Sequence, residues 1–264
     1  MSKFVGKRIW ITGASSGIGE ALALRLDELG ASLILSSRDS EKLNGVLNSC
    51  KNPERHKILL LDLEKYPELP KIAEDAWRNY GPIDILVNNA GISQRYLVCD
   101  GNIDLDAKIM NVNFFGTIAL TRPILRKMLE VNSGQVAVVS SVLGLFGIQS
   151  RSAYSASKHA LRGYFESLRN EIAKSPVKIT MIYPGYVKTN VSRNALTADG
   201  GSYGVVDKQH NNAMSAMQCA EEIIIALGQK KPDVVFGGRL EMLSVAVAKY
   251  MPRIFRTLST RINV

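Results

Sequence analysis

Short apolar runs and helical stripes alternate from Arg8 to about Phe236, and this alternation restricts the chain more than any other feature. The runs are Ile9-Trp10-Ile11, Leu33-Ile34-Leu35, Ile58-Leu59-Leu60-Leu61, Ile85-Leu86-Val87, Val136-Ala137-Val138-Val139, Val177 to Ile182 and Val234-Val235-Phe236. They lack the period-two pattern of a strand that is wet on one side, so each suits a strand covered on both faces. Between them apolar residues recur at helical spacing: Ile18, Leu22, Leu26 and Leu29; Leu69, Ala73, Ala76 and Tyr80; Leu161, Phe165, Leu168 and Ile172. This order predicts an α/β fold, a doubly wound parallel sheet of about seven strands with helices on both faces and right-handed crossovers. No repeat, low-complexity stretch or linker precedes Gly200, so residues 1–264 are predicted to form a single domain.

Composition excludes several classes. A chain of 264 residues with 46% hydrophobic and 22% charged residues can bury a large core and is neither disordered nor fibrous. No uncharged apolar run reaches the roughly 18 residues of a spanning helix, and the N-terminus enters its first apolar run too soon for a signal peptide. Cys50, Cys99 and Cys219 are scattered, which argues against a disulfide scaffold or zinc site and suits a cytoplasmic, reducing setting. Cys99 is expected to be a small buried thiol. The net charge is +9, yet the stretch from Gly228 to Val264 carries seven Lys/Arg against two acidic residues. That uneven spread points to one local basic surface, and with no reading motif or stacking platform it argues against nucleic-acid binding.

In open parallel sheets ligands lie outside the carboxyl ends of the strands. The polar motifs of this chain fall there. Thr12-Gly13-Ala14-Ser15-Ser16-Gly17-Ile18-Gly19 follows the first run and opens a helix. Glycines at that place let the backbone approach a pyrophosphate, and the helix start offers N–H groups and a positive dipole. The second run ends in Ser37-Arg38, where a carboxylate would bind the ribose hydroxyl of NAD; a guanidinium there can instead grip a 2′-phosphate, so the cofactor expected is NADP(H). Asp39, the next residue, reads as a helix cap.

Tyr154 and Lys158 lie four apart on one helix face. A free phenol titrates near pH ~10, and a neighbouring positive charge favours its anion. His159 is turned about 100° from that face, and His56 and His210 lack ligand spacing, so no metal is expected.

With Asn88 to Gly91, Asn113, Ser141 and Pro184-Gly185-x-Val187-x-Thr189 in order around them, these motifs make the chain resemble the short-chain dehydrogenase/reductase family over essentially its full length. The resemblance implies a Rossmann-type fold and an oxidoreductase that moves hydride between a carbonyl or alcohol substrate and a nicotinamide. It implies that Tyr154 is the general acid/base, that Ser141 binds the substrate oxygen, that Lys158 lowers the phenol pKa and holds the ribose, and that Asn113 holds a water linking Lys158 to solvent. Ser141 is taken over Ser140 on the family's spacing to the tyrosine. By the same resemblance Asp62 meets the adenine, Asn89, Ala90 and Gly91 lie by its ribose, and Pro184, Gly185, Val187 and Thr189 form the nicotinamide turn; a helix cap for Asp62 and a tight turn at 89–91 stand beside these readings. The family's habit implies a homodimer or homotetramer.

Residues 188–212 are polar and long for a loop, as a substrate lid is. Asn194 to Gly200, Tyr203 to Asp207 and Ser157 to Ala160 resemble the member 7B subgroup, whose association with lipid ketones implies a lipid-like substrate. Residues 238–264 alternate Leu240, Leu243, Val247, Tyr250, Met251, Ile254 and Phe255 with Lys249, Arg253, Arg256 and Arg261, broken by Pro252. This basic amphipathic tail can lie on an anionic membrane, close over substrate or pack on a second subunit. A non-catalytic NADP(H) sensor is the alternative function, and it would have no need of an intact Asn113–Ser141–Tyr154–Lys158 set.

Overall fold

Successive side chains of each central strand enter opposite cores, which is why the apolar runs show no alternation. The computed structural model describes residues 3–205 and 213–260. Strands β1 (Arg8–Thr12), β2 (Ser32–Ser36), β3 (Lys57–Ile58), β4 (Ile85–Asn88), β5 (Gln135–Val139), β6 (Lys178–Pro184) and β9 (Asp233–Phe236) form one parallel sheet in the order β3-β2-β1-β4-β5-β6-β9. A small ribbon pairs β7 (Val187–Lys188) with β8 (Met214–Ser215).

Ile9, Ile11, Leu33, Leu35, Val87 and Ile182 point to one face, where they meet α1 (Gly17–Glu28), α2 (Ser40–Ser49) and α7 (Ala216–Gln229). Trp10, Ile34, Leu86, Val138 and Met181 point to the other and meet α3 (Leu69–Tyr80), α5 (Gly116–Glu130) and α6 (Ser152–Glu171). The three sequence stripes lie along α1, α3 and α6. Between β4 and α5 runs α4 (Ile103–Met110), which passes through a π-helical turn, Asn111–Phe115, into α5.

Three sequence expectations meet local differences. β3 is shorter than its apolar run, although the N–H groups of Leu59 and Leu61 still donate to Leu35 and Ser37 carbonyls at 3.0 Å each. Leu60 is 53% exposed, so only alternate residues of this edge segment have a core to enter. Cys99 is exposed, not buried, because the segment after β4 turns outward there. The lid region begins as strand β7, and its residues 206–212, with His210, lie outside the described residues. Pro252 does divide the tail, into α8 (Arg239–Tyr250) and α9 (Pro252–Ser259); residues 261–264 lie outside the described residues.

Near the start of β2, buried Asp27 accepts from Lys51 N, Asn52 Nδ2 (3.1 Å) and His56 Nε2 (3.1 Å). Cys50 is close enough to complete a three-ligand cluster. However, His56 Nδ1 accepts the Leu33 N–H at 3.1 Å, so its proton sits on Nε2 and points at Asp27. A nitrogen that carries a proton is a donor, so the cluster reads as a clasp between α1, α2 and β2 and not as a metal site.

Candidate active site

The crevice opens where strand order reverses beside β1, between the turn after β1 and the turn after β4. Gly13 and Gly17 adopt φ of 66° and 60°, the left-handed region that glycine enters without strain. A Cβ on Gly19 would overlap the Gly13 carbonyl, which fixes glycine at that helix position. Ser16 is extended and makes no side-chain cap, leaving the opening N–H groups of α1 to an anion. Ser15 and Ile18 flank it, partly exposed.

Two threonines brace this turn. Thr12 Oγ1 accepts the N–H groups of Asn89 and Ala90 at 3.0 and 3.1 Å, and Asn89 Nδ2 returns a bond to the Thr12 carbonyl at 2.9 Å. Thr189 lies over the turn, its methyl 3.0 Å from where a Gly17 Cβ would stand. The turns after β1, β4 and β6 therefore converge. Pro184 ends β6, Gly185 passes so close to Gly237 that a Cβ would stand 3.1 Å from its Cα, and Val187 is set in the ribbon. Gly91 lies tight against Asn113 and Lys158: a Cβ there would stand 3.1 Å from Asn113 Oδ1 and 3.4 Å from Lys158 Nζ.

At the end of β2, Asp39 caps α2, accepting Lys42 N–H at 3.0 Å, so that acid is committed to the helix. Arg38 is exposed beside it, and Ser37 Oγ accepts the Asp39 N–H at 3.1 Å. Asp62 Oδ1 accepts the Glu64 N–H at 3.1 Å, a turn role.

The residues expected to carry the chemistry come from three elements. Ser141 follows β5; its Oγ accepts the Leu143 N–H at 3.1 Å and is hydrogen-bonded to the Tyr154 phenol. Ser140 is turned elsewhere and donates to the Lys158 carbonyl at 3.2 Å. Lys158, one turn beyond Tyr154 on α6, is buried, donates to the Val139 carbonyl at 3.0 Å and places Nζ 5.6 Å from the Tyr154 ring centre. Asn113 sits fully buried in the π turn, a distortion often found at functional sites. Its amide joins Ile92, by bonds of 2.8 and 2.9 Å, to Ser157 on α6 at 2.9 Å.

Burial dominates the electrostatics. It pushes the Tyr154 phenol above its ordinary range, against the pull of the Ser141 hydrogen bond and of the Arg151 and Arg95 charges. It also lowers the Lys158 ammonium to about 8. Arg95 and Arg151 were not among the sequence candidates, because neither belongs to a spaced motif. The one available signal was position: Arg95 follows the turn after β4, and Arg151 precedes the helix that carries Tyr154.

The segment after β7 packs on this side. Leu196 bridges Gln94 and Ser202, Arg95 Nη2 donates to Ser192 Oγ at 3.1 Å, and the Arg95 guanidinium lies 5.6 Å from the Tyr203 ring centre. His159 is exposed and its Nδ1 is bonded to the Ser155 carbonyl at 2.8 Å.

Residues 7–200 match the family model described as short chain dehydrogenase. A mouse protein, dehydrogenase/reductase SDR family member 7B, is 37% identical over 257 residues, covering 95% of this chain and 80% of the relative. Among solved structures, a short chain dehydrogenase/reductase from Burkholderia phymatum in complex with NAD superposes with a TM-score of 0.83 at 22% identity, covering 96% of each chain. The closed form of a serine dehydrogenase complexed with NADP+ gives 0.79 at 23% identity, over 88% of this chain and 94% of that one.

Proposed function

The chain belongs to the short-chain dehydrogenase family of oxidoreductases, and from that premise we propose that it interconverts a ketone and a secondary alcohol with NADP(H), using Tyr154 as general acid/base. The observation that carries this reading is the triplet of Ser141 bonded to the Tyr154 phenol with Lys158 buried beneath its ring, beside a turn in which Gly19 tolerates no side chain. That turn, closed by Thr189, fits a dinucleotide pyrophosphate.

A bound nicotinamide supplies or accepts the hydride. In the reducing direction Tyr154 gives its proton to the carbonyl oxygen, and Ser141 hydrogen-bonds that oxygen as charge develops on it. Ser141 Oγ accepts from Leu143 and is hydrogen-bonded to the Tyr154 phenol, so in this reading both groups address one substrate oxygen. In the oxidising direction Tyr154 takes the alcohol proton. Lys158 holds positive charge under the phenol and offers its ammonium to the cofactor ribose; Asn113 fixes the loop and helix between which a proton-carrying water would pass.

Arg38 supports NADP(H) over NAD(H), since the only acid beside it caps α2. Titration of Arg38→Asp with each reduced cofactor tests this. NADPH affinity is expected to fall by about 10- to 100-fold, as for loss of a charged hydrogen-bonding pair of ~1.5–3 kcal/mol, with NADH affinity unchanged or improved. Equal affinities, unmoved by the substitution, would remove the NADP assignment and leave the catalytic one standing. NADPH binding without turnover on any ketone would favour the sensor.

The substrate we propose is lipid-like, and the tail supports it. No residue of α8 or α9 is buried; Leu240 is 78% and Tyr250 73% exposed, interleaved with Lys249, Arg253 and Arg256, while Phe255 docks on Phe146 at 4.9 Å between ring centres. Among the described residues no helix is long and apolar enough to cross a membrane. In this reading the tail rests on an anionic membrane surface and the enzyme is a homodimer or homotetramer. Co-sedimentation with anionic vesicles is expected at low salt and lost at high salt; no sedimentation at low salt would sink the membrane contact.

A further inference from the structure

Gln94 sits where three segments meet, with none of its surface exposed. Its side chain serves α6: Oε1 accepts the Tyr154 N–H at 3.0 Å and Nε2 donates to Ser152 Oγ at 3.0 Å. Its main-chain carbonyl accepts Nη1 of Arg95 at 2.8 Å and Nη1 of Arg151 at 3.1 Å. Its neighbours hold the lid, Arg95 N–H donating to the Leu196 carbonyl at 2.7 Å and Leu196 N–H to the Ser93 carbonyl at 2.9 Å.

A helix leaves its first N–H groups without partners, and the residue just before it ordinarily supplies a capping oxygen. In α6 that place belongs to Arg151, whose side chain makes no cap. The capping oxygen comes instead from Gln94, distant in sequence, and the N–H it takes is that of Tyr154 itself. A fully buried amide is costly unless its bonds are used; here both sides of it are spent on the turn that carries the reacting phenol.

We propose that Gln94 is a positioning residue for Tyr154: its amide seats the first turn of α6, and its carbonyl holds the Arg95 and Arg151 guanidiniums near the phenol. The proposal rests on the reading of Tyr154 as general acid/base. The amide sets where the phenol stands relative to Ser141, and the guanidiniums favour its anion. The groups acting on that phenol are Ser141 after β5, Arg151 just before its own helix, Arg95 after β4 and Tyr186 after β6, with Lys158 Nζ 5.6 Å from its ring centre.

The test compares Gln94→Leu and Gln94→Glu with wild type for kcat, KM, NADPH affinity, pH–rate profile and thermal unfolding. Gln94→Leu loses both amide bonds and is expected to lower kcat by about 10- to 100-fold, the scale of a ~1 Å misplacement, with NADPH affinity unchanged. Gln94→Glu keeps acceptors for Tyr154 N–H and the Ser152 hydroxyl. It is expected to keep most of the kcat of ketone reduction on the pH plateau while its carboxylate moves the Tyr154 limb of the profile upward by about one unit. If both variants keep the wild-type kcat and limb and only unfold at lower temperature, Gln94 is a core amide and the proposal is overturned. Should the Leu variant not fold, an unmoved limb in Gln94→Glu overturns it alone. Tyr154→Phe separates the two levels: retained turnover there overturns the acid/base reading and this proposal with it, whereas an inactive Phe variant beside unaffected Gln94 variants overturns only the proposal.

Discussion

Tyr154→Phe is expected to lower turnover by about 10²- to 10⁴-fold, the usual reach of a positioned general acid or base, while NADPH affinity is preserved. The ring keeps its place above Lys158, so only the proton donor is lost. Ser141 then faces a carbon where it had an oxygen, and the residual rate should lose the pH limb that reports the phenol. Cofactor titration followed by steady-state reduction of a ketone panel checks both halves. Turnover within tenfold of wild type, with the limb intact, would assign the proton to another group.

The second large effect concerns Lys158, where chemistry and stability oppose one another. Burial lowers its ammonium from 10.5 to about 8. Below pH 8 folded and unfolded chains both carry the proton, and the folded state bears the whole cost of burying it. Between pH 8 and 10.5 the folded chain has released the proton and the unfolded chain has not, so stability contributed by this group rises with pH across that window. A shift of this size corresponds to ~3 kcal/mol. Lys158→Met removes the cost but leaves the Val139 carbonyl without its donor, a loss of ~1 kcal/mol. The Met variant is therefore expected to be more stable than wild type by ~2 kcal/mol at pH 7, with the gap narrowing between pH 8 and 10.5 and passing to ~1 kcal/mol in favour of wild type above that, and to lose at least about 10²-fold in turnover. Denaturant unfolding at pH 7 and 10.5 reads the difference directly. A Met variant less stable than wild type at pH 7 would show that the ammonium is held favourably by bonds that outweigh its burial.

The sheet was legible because its signal is physical and local. Strands such as Ile9-Trp10-Ile11 are apolar throughout since both faces are covered, and the stripes of α1, α3 and α6 repeat at the helical period. The glycine-rich turn was legible for a related reason: Gly13 and Gly17 hold φ values, and Gly19 a contact, that only glycine satisfies. What the sequence hid depends on contacts between distant segments. Nothing in the local pattern distinguishes Gln94 from a surface amide, yet it is buried against α6. Arg95 and Arg151 look like solvated charges until the fold brings both onto one carbonyl. Cys99 misled because residue type was read without the direction of its segment, and the edge strand β3 because one flank of an edge has no core to fill.

The strand order bears on how the chain is made. Ile9 pairs on one side with Leu33, available soon after synthesis begins, and on the other with Ile85, far along the chain. Until β4 leaves the ribosome, β1 has one open hydrogen-bonding edge lined by Ile9, Trp10 and Ile11, none of which is exposed in the finished fold. A nascent chain stalled between those two strands presents an apolar, unpaired template, the kind that recruits chaperones or mispairs with a neighbour. Slow passage of the ribosome across the α2–α3 region should therefore lower soluble yield more than an equal delay after β9, when every strand of the sheet has been made.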